Sequence, residues 1–462
     1  MRRRVKRRRS SRGSGKLFLF LILAALVVAG VVFAYTSPMF EKEPPKIEVK
    51  NNIYTNGSNP VEFTVTDNVK VKSAKVIINS NGKEIPIFSQ TFMLPTNKKT
   101  IKVDIPKELL KSNSLDMIIV ANDGSLWNFF MGNKAIKSVK VHIDKNPPIV
   151  NLVSMSSYIT KGGSAAVIFR VDDKELKKLY LDIGNGITFK PVKYKKDGVF
   201  VTLFAWPFNM DNFNPTIVAV DGANNITKFK LNITRKQKNY KISKIKATDR
   251  FIEGKITELL LSDNDFKNIT NKFEKFRAVN ELMRKKNEDL IHKYSKKVTP
   301  INGSWDIKPF YPLKGAKKIS DFGVKRFYYY KSPDNIISTS YHVGYDFASV
   351  KHANIYASNS GTVVFAGNNG IYGNMPMNDH GLGLYTLYGH CSSVLVKKGD
   401  KVNRGDVIAK TGVTGLALGD HLHFGILIQG IEVHPLEWMS KGWLKTHITD
   451  IFKKADKILG YN

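Results

Sequence analysis

Three short stretches of this chain hold the residue types that metal-assisted hydrolysis needs. They are Tyr341-His342-Val343-Gly344-Tyr345-Asp346, Leu387-Tyr388-Gly389-His390 and Gly419-Asp420-His421-Leu422-His423-Phe424-Gly425. Residues two apart on a strand share a face, so the spacing predicts His421 and His423 on one side, with Leu422 and Phe424 turned towards a core. By the same rule His342, Gly344 and Asp346 share a face if their segment is extended, and Gly344 leaves room there for a bound ion. Two imidazoles and one carboxylate are a usual ligand set for a catalytic zinc, whose fourth position takes water. The alternating apolar residues and closely spaced glycines between the stretches read as short strands and tight turns.

In the order HxxxD, Tyr-x-His, HxH, the segment resembles the zinc endopeptidases of the lysostaphin and LytM type, peptidase family M23, over roughly Trp305 to Trp438. The resemblance implies a C-terminal antiparallel β catalytic domain with one zinc ion per chain. It implies His342, Asp346 and His423 as ligands, and His390 and His421 as two non-ligand catalytic histidines beside the water and the oxyanion. The implied substrate is the peptide cross-link of peptidoglycan. Some LytM-type domains have lost ligands and instead activate a cell-wall amidase; all five polar positions are filled here, which favours the enzyme over that regulator. One departure is Cys391, which follows His390 where the family usually has leucine. A lone thiol there reads as a small buried hydrophobe sooner than as a fifth ligand. His380 sits at a turn and reads as structural, and no other histidine has metal-ligand spacing. The aromatic run Phe327-Tyr328-Tyr329-Tyr330 reads equally as the floor of a groove or as strand packing.

The elements that must carry this site begin with a basic tail. Arg2 to Arg4, Lys6 to Arg9, Arg12 and Lys16 precede an uncharged apolar run from Leu17 to Tyr35. A run of that length spans a bilayer as a helix, and the positive charge before it keeps that side in the cytoplasm. The alternative, a cleaved signal peptide, fits less well because the run is long for one. The chain is thus expected to be a single-pass protein of a bacterial inner (cytoplasmic) membrane, with its catalytic domain periplasmic. The arginine cluster abuts the span and has no interleaved aromatics, so no nucleic-acid partner is expected. The net charge of +33 suits attraction to anionic lipid and wall polymer, although Lys-rich and Asn-rich usage accounts for it equally. A single cysteine excludes an intramolecular disulfide framework.

Residues 42–143 and 145–235 read as a tandem repeat. Each opens with a proline pair and a strand (Pro44-Pro45 and Pro147-Pro148), continues with an alternating strand, and closes with a strand running into Asp-Gly (Asp123-Gly124 and Asp221-Gly222). The period of roughly 100 residues suits two immunoglobulin-like β-sandwiches, acting as a spacer or contacting a cell-wall protein partner. Next comes a helical neck, residues 250–300. Ser262 with Asp265 fits a capping box, and Ile269, Phe273, Phe276, Val279, Met283 and Leu290 recur at helical spacing. The peptidase domain takes 301–440. An amphipathic helix in 441–462 is expected to pack on the catalytic domain. The fold class expected is therefore mainly β: a transmembrane helix (17–35, after a basic tail 1–16), two sandwiches, a helical segment and a LytM-type catalytic domain.

Overall fold

The computed structural model describes residues 14–461 except Asn81, Pro95, Asn302 and Ser304. The expected basic tail up to residue 13 lies outside the described residues. The chain divides into two compact units. The first holds the residues up to Asn146 with Asp221–Asn225, the second Pro147–Val220 and Ile226–Asn462.

In the first unit one helix, Ser14–Thr36, is long and apolar enough to cross a membrane, and none of it is buried in the protein. A β-sandwich follows. Strands Lys46–Glu48, Val61–Thr66 and Lys98–Val103 form one antiparallel sheet, and a five-stranded sheet is centred on Ser114–Asp123. The alternation read in Val61–Thr66 is real: Val61, Phe63 and Val65 are buried between the sheets, while Glu62 faces solvent.

The second module is also two facing sheets, but its strands are buried differently. Ser164–Asp172 is enclosed along nearly its whole length, and Lys196–Ala205 over its Val201–Ala205 half. A strand covered on both faces must be apolar at consecutive positions, as Ala165-Ala166-Val167-Ile168-Phe169 is. One core runs from these strands into the peptidase domain. Trp438 Nε1 donates to Ser164 Oγ (3.0 Å), and the Gln429 amide group donates to the Leu203 carbonyl (3.3 Å). The second module is therefore fused to the peptidase domain and is no freestanding spacer. The C-terminal helix Asp450–Leu459, expected on the catalytic domain, lies also on Ile149–Met155 and Ser164–Asp172 of this module. Phe452 packs between Tyr194 of the sandwich and Trp305 of the peptidase lead-in.

The neck begins as Asp249–Phe251 and continues helically to Leu261; a second helical rod, residues 272–295, follows. Ser262 does not cap the second rod: its Oγ bonds back to the Leu259 carbonyl at the end of the first. Asn271 is the cap, with Oδ1 accepting from the backbone of Phe273 and Glu274. Phe276, Val279, Met283 and Ile291 of the rod share a core with Tyr372, Met377 and Leu387 of the peptidase domain.

The peptidase domain is an antiparallel eight-stranded sheet in which Tyr345–Ala348, Leu422–Ile428, Leu384–Gly389 and Asn374–Asp379 are successive neighbours. Beside it, Ile336–His342 pairs with Val324–Tyr329, to which Ile242–Lys246 adds a parallel strand ahead of the neck.

Candidate metal centre

Register assembles the site. Asp346 lies opposite His423 across one pair of strands, and Gly389 lies opposite His423 across the next. His390 follows directly. His342 arrives from the other sheet, where it pairs with Val324. Strand continuity breaks at Val343-Gly344, so His342 and Asp346 do not share a face of one strand as expected. The chain changes sheets between them and brings both to one point. Gly344 makes room for a side chain rather than for an ion: a Cβ there would sit 2.6 Å from the His423 imidazole.

Three donor atoms converge. His342 Nε2 is 3.0 Å from Asp346 Oδ1 and 3.1 Å from His423 Nδ1, and His423 Nδ1 is 3.0 Å from Asp346 Oδ1. All three residues are buried. His342 Nδ1 donates to the Asp321 carbonyl (2.7 Å), which leaves Nε2, facing the other two donors, as the nitrogen that can hold a metal. Burial works against ionisation of Asp346, yet His342 and His423 outweigh it and hold the carboxyl well below its ordinary range. Burial first, with His342 and His421 adding to it, pushes His423 down to about 4. Two imidazole nitrogens and a carboxylate at these separations suit one small divalent cation, since tetrahedral bonds of about 2.0–2.1 Å put ligands about 3.3 Å apart.

Two further histidines flank this triangle. His390 Nδ1 donates to the Thr414 carbonyl (2.8 Å) and His421 Nδ1 to the Gly419 carbonyl (2.7 Å). A carbonyl only accepts, so both rings carry a proton on Nδ1, which leaves Nε2 as the nitrogen that can exchange one. Their ring centroids are 4.7 Å apart, and His421 Nε2 is 3.8 Å from Asp346 Oδ1. Burial, reinforced by His421 and His423, pushes His390 down to about 3. His390 also holds φ 66°, a left-handed conformation that turns its ring out of the strand line and is costly for a non-glycine residue.

All five histidine and aspartate positions line one cavity of about 490 Å³. Its far wall comes from outside the signature: Ile245, Phe251, Phe276 and Arg284 belong to the added strand and the neck. The sequence reading missed Arg326, whose guanidinium donates to Ser320 Oγ (2.8 Å) and lies 3.6 Å from Asp346 Oδ2. Its signal was strand alternation, which puts Arg326 between Val324 and Tyr328 on one face. The same alternation splits the aromatic run, since only Tyr328 of the four lines the cavity. Tyr372 was missed as well; its ring packs edge-on to His423 at 5.5 Å. Cys391 is fully buried, with Sγ directed at the Tyr388 carbonyl (3.1 Å) and its thiol pushed up to about 12 by burial. His380 is likewise buried, bonded to the Ser360 carbonyl and Thr386 Oγ1.

Comparison with known proteins adds the family. Residues 340–435 match the sequence model of Peptidase family M23. The chain is 40% identical over 96 residues to the peptidoglycan DD-endopeptidase ShyA of Vibrio cholerae serotype O1, covering 21% of this chain and 22% of that one. It is 34% identical over 140 residues to the DD-carboxypeptidase/endopeptidase Mpg of Neisseria meningitidis serogroup B, covering 30% of each. The chain spans less than a third of the length of these curated relatives. Among solved structures, a putative M23 peptidase from Pseudomonas aeruginosa aligns over 61% of this chain and 94% of its own, at 18% identity and a TM-score of 0.38.

Proposed function

We propose that this chain, which carries an M23 peptidase domain at its C-terminus, is a zinc-dependent endopeptidase that hydrolyses D,D-peptide cross-links of peptidoglycan during cell-wall remodelling. It acts outside the cytoplasmic membrane, to which the Ser14–Thr36 helix anchors it. The observation that carries this reading is the convergence of His342 Nε2, Asp346 Oδ1 and His423 Nδ1 within 3.1 Å of one another, with two more histidines beside them whose Nδ1–H groups are tied to carbonyls. The D,D specificity is taken from the names of the two relatives.

In this reading His342, Asp346 and His423 would hold one zinc ion, whose Lewis acidity would supply polarisation of the scissile carbonyl and a lowered pKa for the attacking water. The protein's own residues do the rest. Amide hydrolysis moves a proton from the attacking water to the leaving amine, and an imidazole that is neutral at working pH can accept it and hand it on. His390, pushed down to about 3 by burial, meets that condition, and His421, its Nδ1–H tied to the Gly419 carbonyl, sets Nε2 3.8 Å from Asp346 Oδ1. The second imidazole, with the Arg326 guanidinium nearby, stabilises negative charge developing on the substrate oxygen. The apolar wall from Phe251, Phe276 and Tyr328 excludes water from behind the substrate.

Substitution separates the two roles. His423→Ala is expected to lose zinc and hydrolysis together, whereas His390→Ala keeps zinc and loses 10²-fold or more of the activity, the usual size of an acid–base contribution. Metal analysis and release of uncross-linked fragments from purified sacculi measure both. Undiminished turnover in both purified variants would refute the mechanism.

A further inference from the structure

The first sandwich displays large apolar side chains at one end. Between strands Ser114–Asp123 and Lys134–Ile143 the chain reads Trp127-Asn128-Phe129-Phe130-Met131. Surface loops of this kind are ordinarily built from polar turn formers. Here Phe129 is 91% exposed, Phe130 67% and Met131 66%. The backbone holds them out, since Asn128, Phe129 and Phe130 take φ 53°, 55° and 68°, a left-handed run that aromatic residues rarely adopt. Strain of this sort persists where the display it produces is used. A second loop at the same end does likewise: Met93 and Leu94 are 99% and 81% exposed. They follow Thr91, which pairs with Ser73, and Val71 beside it pairs with Asp123.

What covers this patch is indicated by what adjoins it. The loop is tied to the segment that leaves the Ser14–Thr36 helix. Leu126 N donates to the Met39 carbonyl (2.6 Å) and Ser125 Oγ to the Glu41 carbonyl (2.7 Å). Lys42 Nζ lies 3.7 Å from the ring centroid of Tyr35, near the end of that helix, and 4.5 Å from that of Trp127 in the loop. A helix that crosses a bilayer brings its last turn to the headgroup layer, where tyrosine, tryptophan and lysine concentrate. Trp127 is thus joined through Lys42 to Tyr35, which the anchor reading puts in the headgroup layer, and the exposed Phe129 and Phe130 adjoin it in the same loop.

We propose that Trp127–Met131 is a second membrane contact, inserting Phe129 and Phe130 into the outer surface of the bilayer that the Ser14–Thr36 helix crosses and seating the first sandwich on lipid. This rests on the anchor reading of that helix and is independent of the peptidase chemistry.

The test uses the full chain reconstituted in vesicles of phosphatidylcholine and phosphatidylglycerol that contain a nitroxide-labelled lipid. A Phe129→Cys variant carries an environment-sensitive fluorophore; buried Cys391 stays unlabelled. Lys83→Cys, at the opposite end of the same sheet by register, carries it as reference. The label at 129 should emit to the blue and lose most of its emission to the lipid nitroxide, while the label at 83 keeps its own. Equal, water-like emission at both sites would overturn the proposal. So would a label at 129 that is shielded from lipid but self-quenches between chains, which would make the loop a contact between copies. A second variant, Phe129→Asn with Phe130→Asn and the label on Met131→Cys, suits the left-handed backbone. It should keep or raise the thermal midpoint while nitroxide quenching is lost. A lowered midpoint with quenching retained would assign the loop to the sandwich's own stability and sink the membrane contact.

Discussion

Gly344 decides whether the metal triangle forms. Its missing Cβ is where the His423 ring lies, 2.6 Å away, so Gly344→Ala must displace that ring or bend the backbone of Tyr345. We expect zinc affinity to fall roughly 10–100-fold, as it does when the support of a ligand is lost, with the β-sheet signature in circular dichroism unchanged. Unaltered affinity in a metal-competition titration would contradict the packing described. Part of this was legible in the sequence. His421 and His423 project into one cavity, as alternation requires, and the three histidine-bearing stretches meet. What the spacing hid was the change of sheet at Val343-Gly344, because two short strands with a bend between them have the same apolar alternation as one strand. Cys391 gives a further residue-level test. A thiol pushed up to about 12 and fully buried should resist maleimide in the folded chain and react on unfolding; rapid labelling of the native protein would contradict its burial.

At the scale of the element, the helical neck forms a wall of the cavity. Its apolar spacing was readable, and the rod does bury Phe276, Val279 and Met283. Its start was misread because Ser262 and Asn271 are both good caps, and only the bonds made by Asn271 Oδ1 distinguish them. Neither did periodicity announce Glu288, which accepts from Tyr372 Oη across the interface and lies near Arg284 one turn earlier on its own rod. Burial raises this carboxyl to about 7, so the folded state binds its proton more tightly than the unfolded chain. Its contribution to stability is therefore present below about pH 4.5 and declines as pH rises towards about 7. Glu288→Gln removes the decline and should gain on the order of 2 kcal/mol over the parent at about pH 8, with little difference at about pH 4. Urea midpoints at the two pH values measure this, and a Gln variant that loses stability equally at both would refute it.

On the scale of the molecule, the proline pairs and Asp-Gly strand ends led to an expected tandem repeat, and the two modules are each a pair of sheets but differ in strand order and in burial. The difference was written in burial pattern. Val61–Thr66 alternates, as a sheet with one wet face must, while Ala165–Phe169 is apolar at every position because the C-terminal helix and the peptidase domain cover its outer side. Residues 147–462 should consequently unfold in one calorimetric transition. Phe452→Ala, remote from the metal centre, should destabilise that unit by roughly 3–5 kcal/mol; two separated transitions would contradict a shared core. The central claim, that one zinc held by His342, Asp346 and His423 serves a cross-link endopeptidase, is tested most directly by one paired measurement. Zinc content and cleavage of purified cross-linked peptidoglycan are determined for the chain and for His423→Ala. The account predicts about one zinc per chain and release of uncross-linked fragments, both lost in the variant. Cleavage that persists without zinc, or a zinc-loaded chain that leaves the cross-links intact, would contradict it.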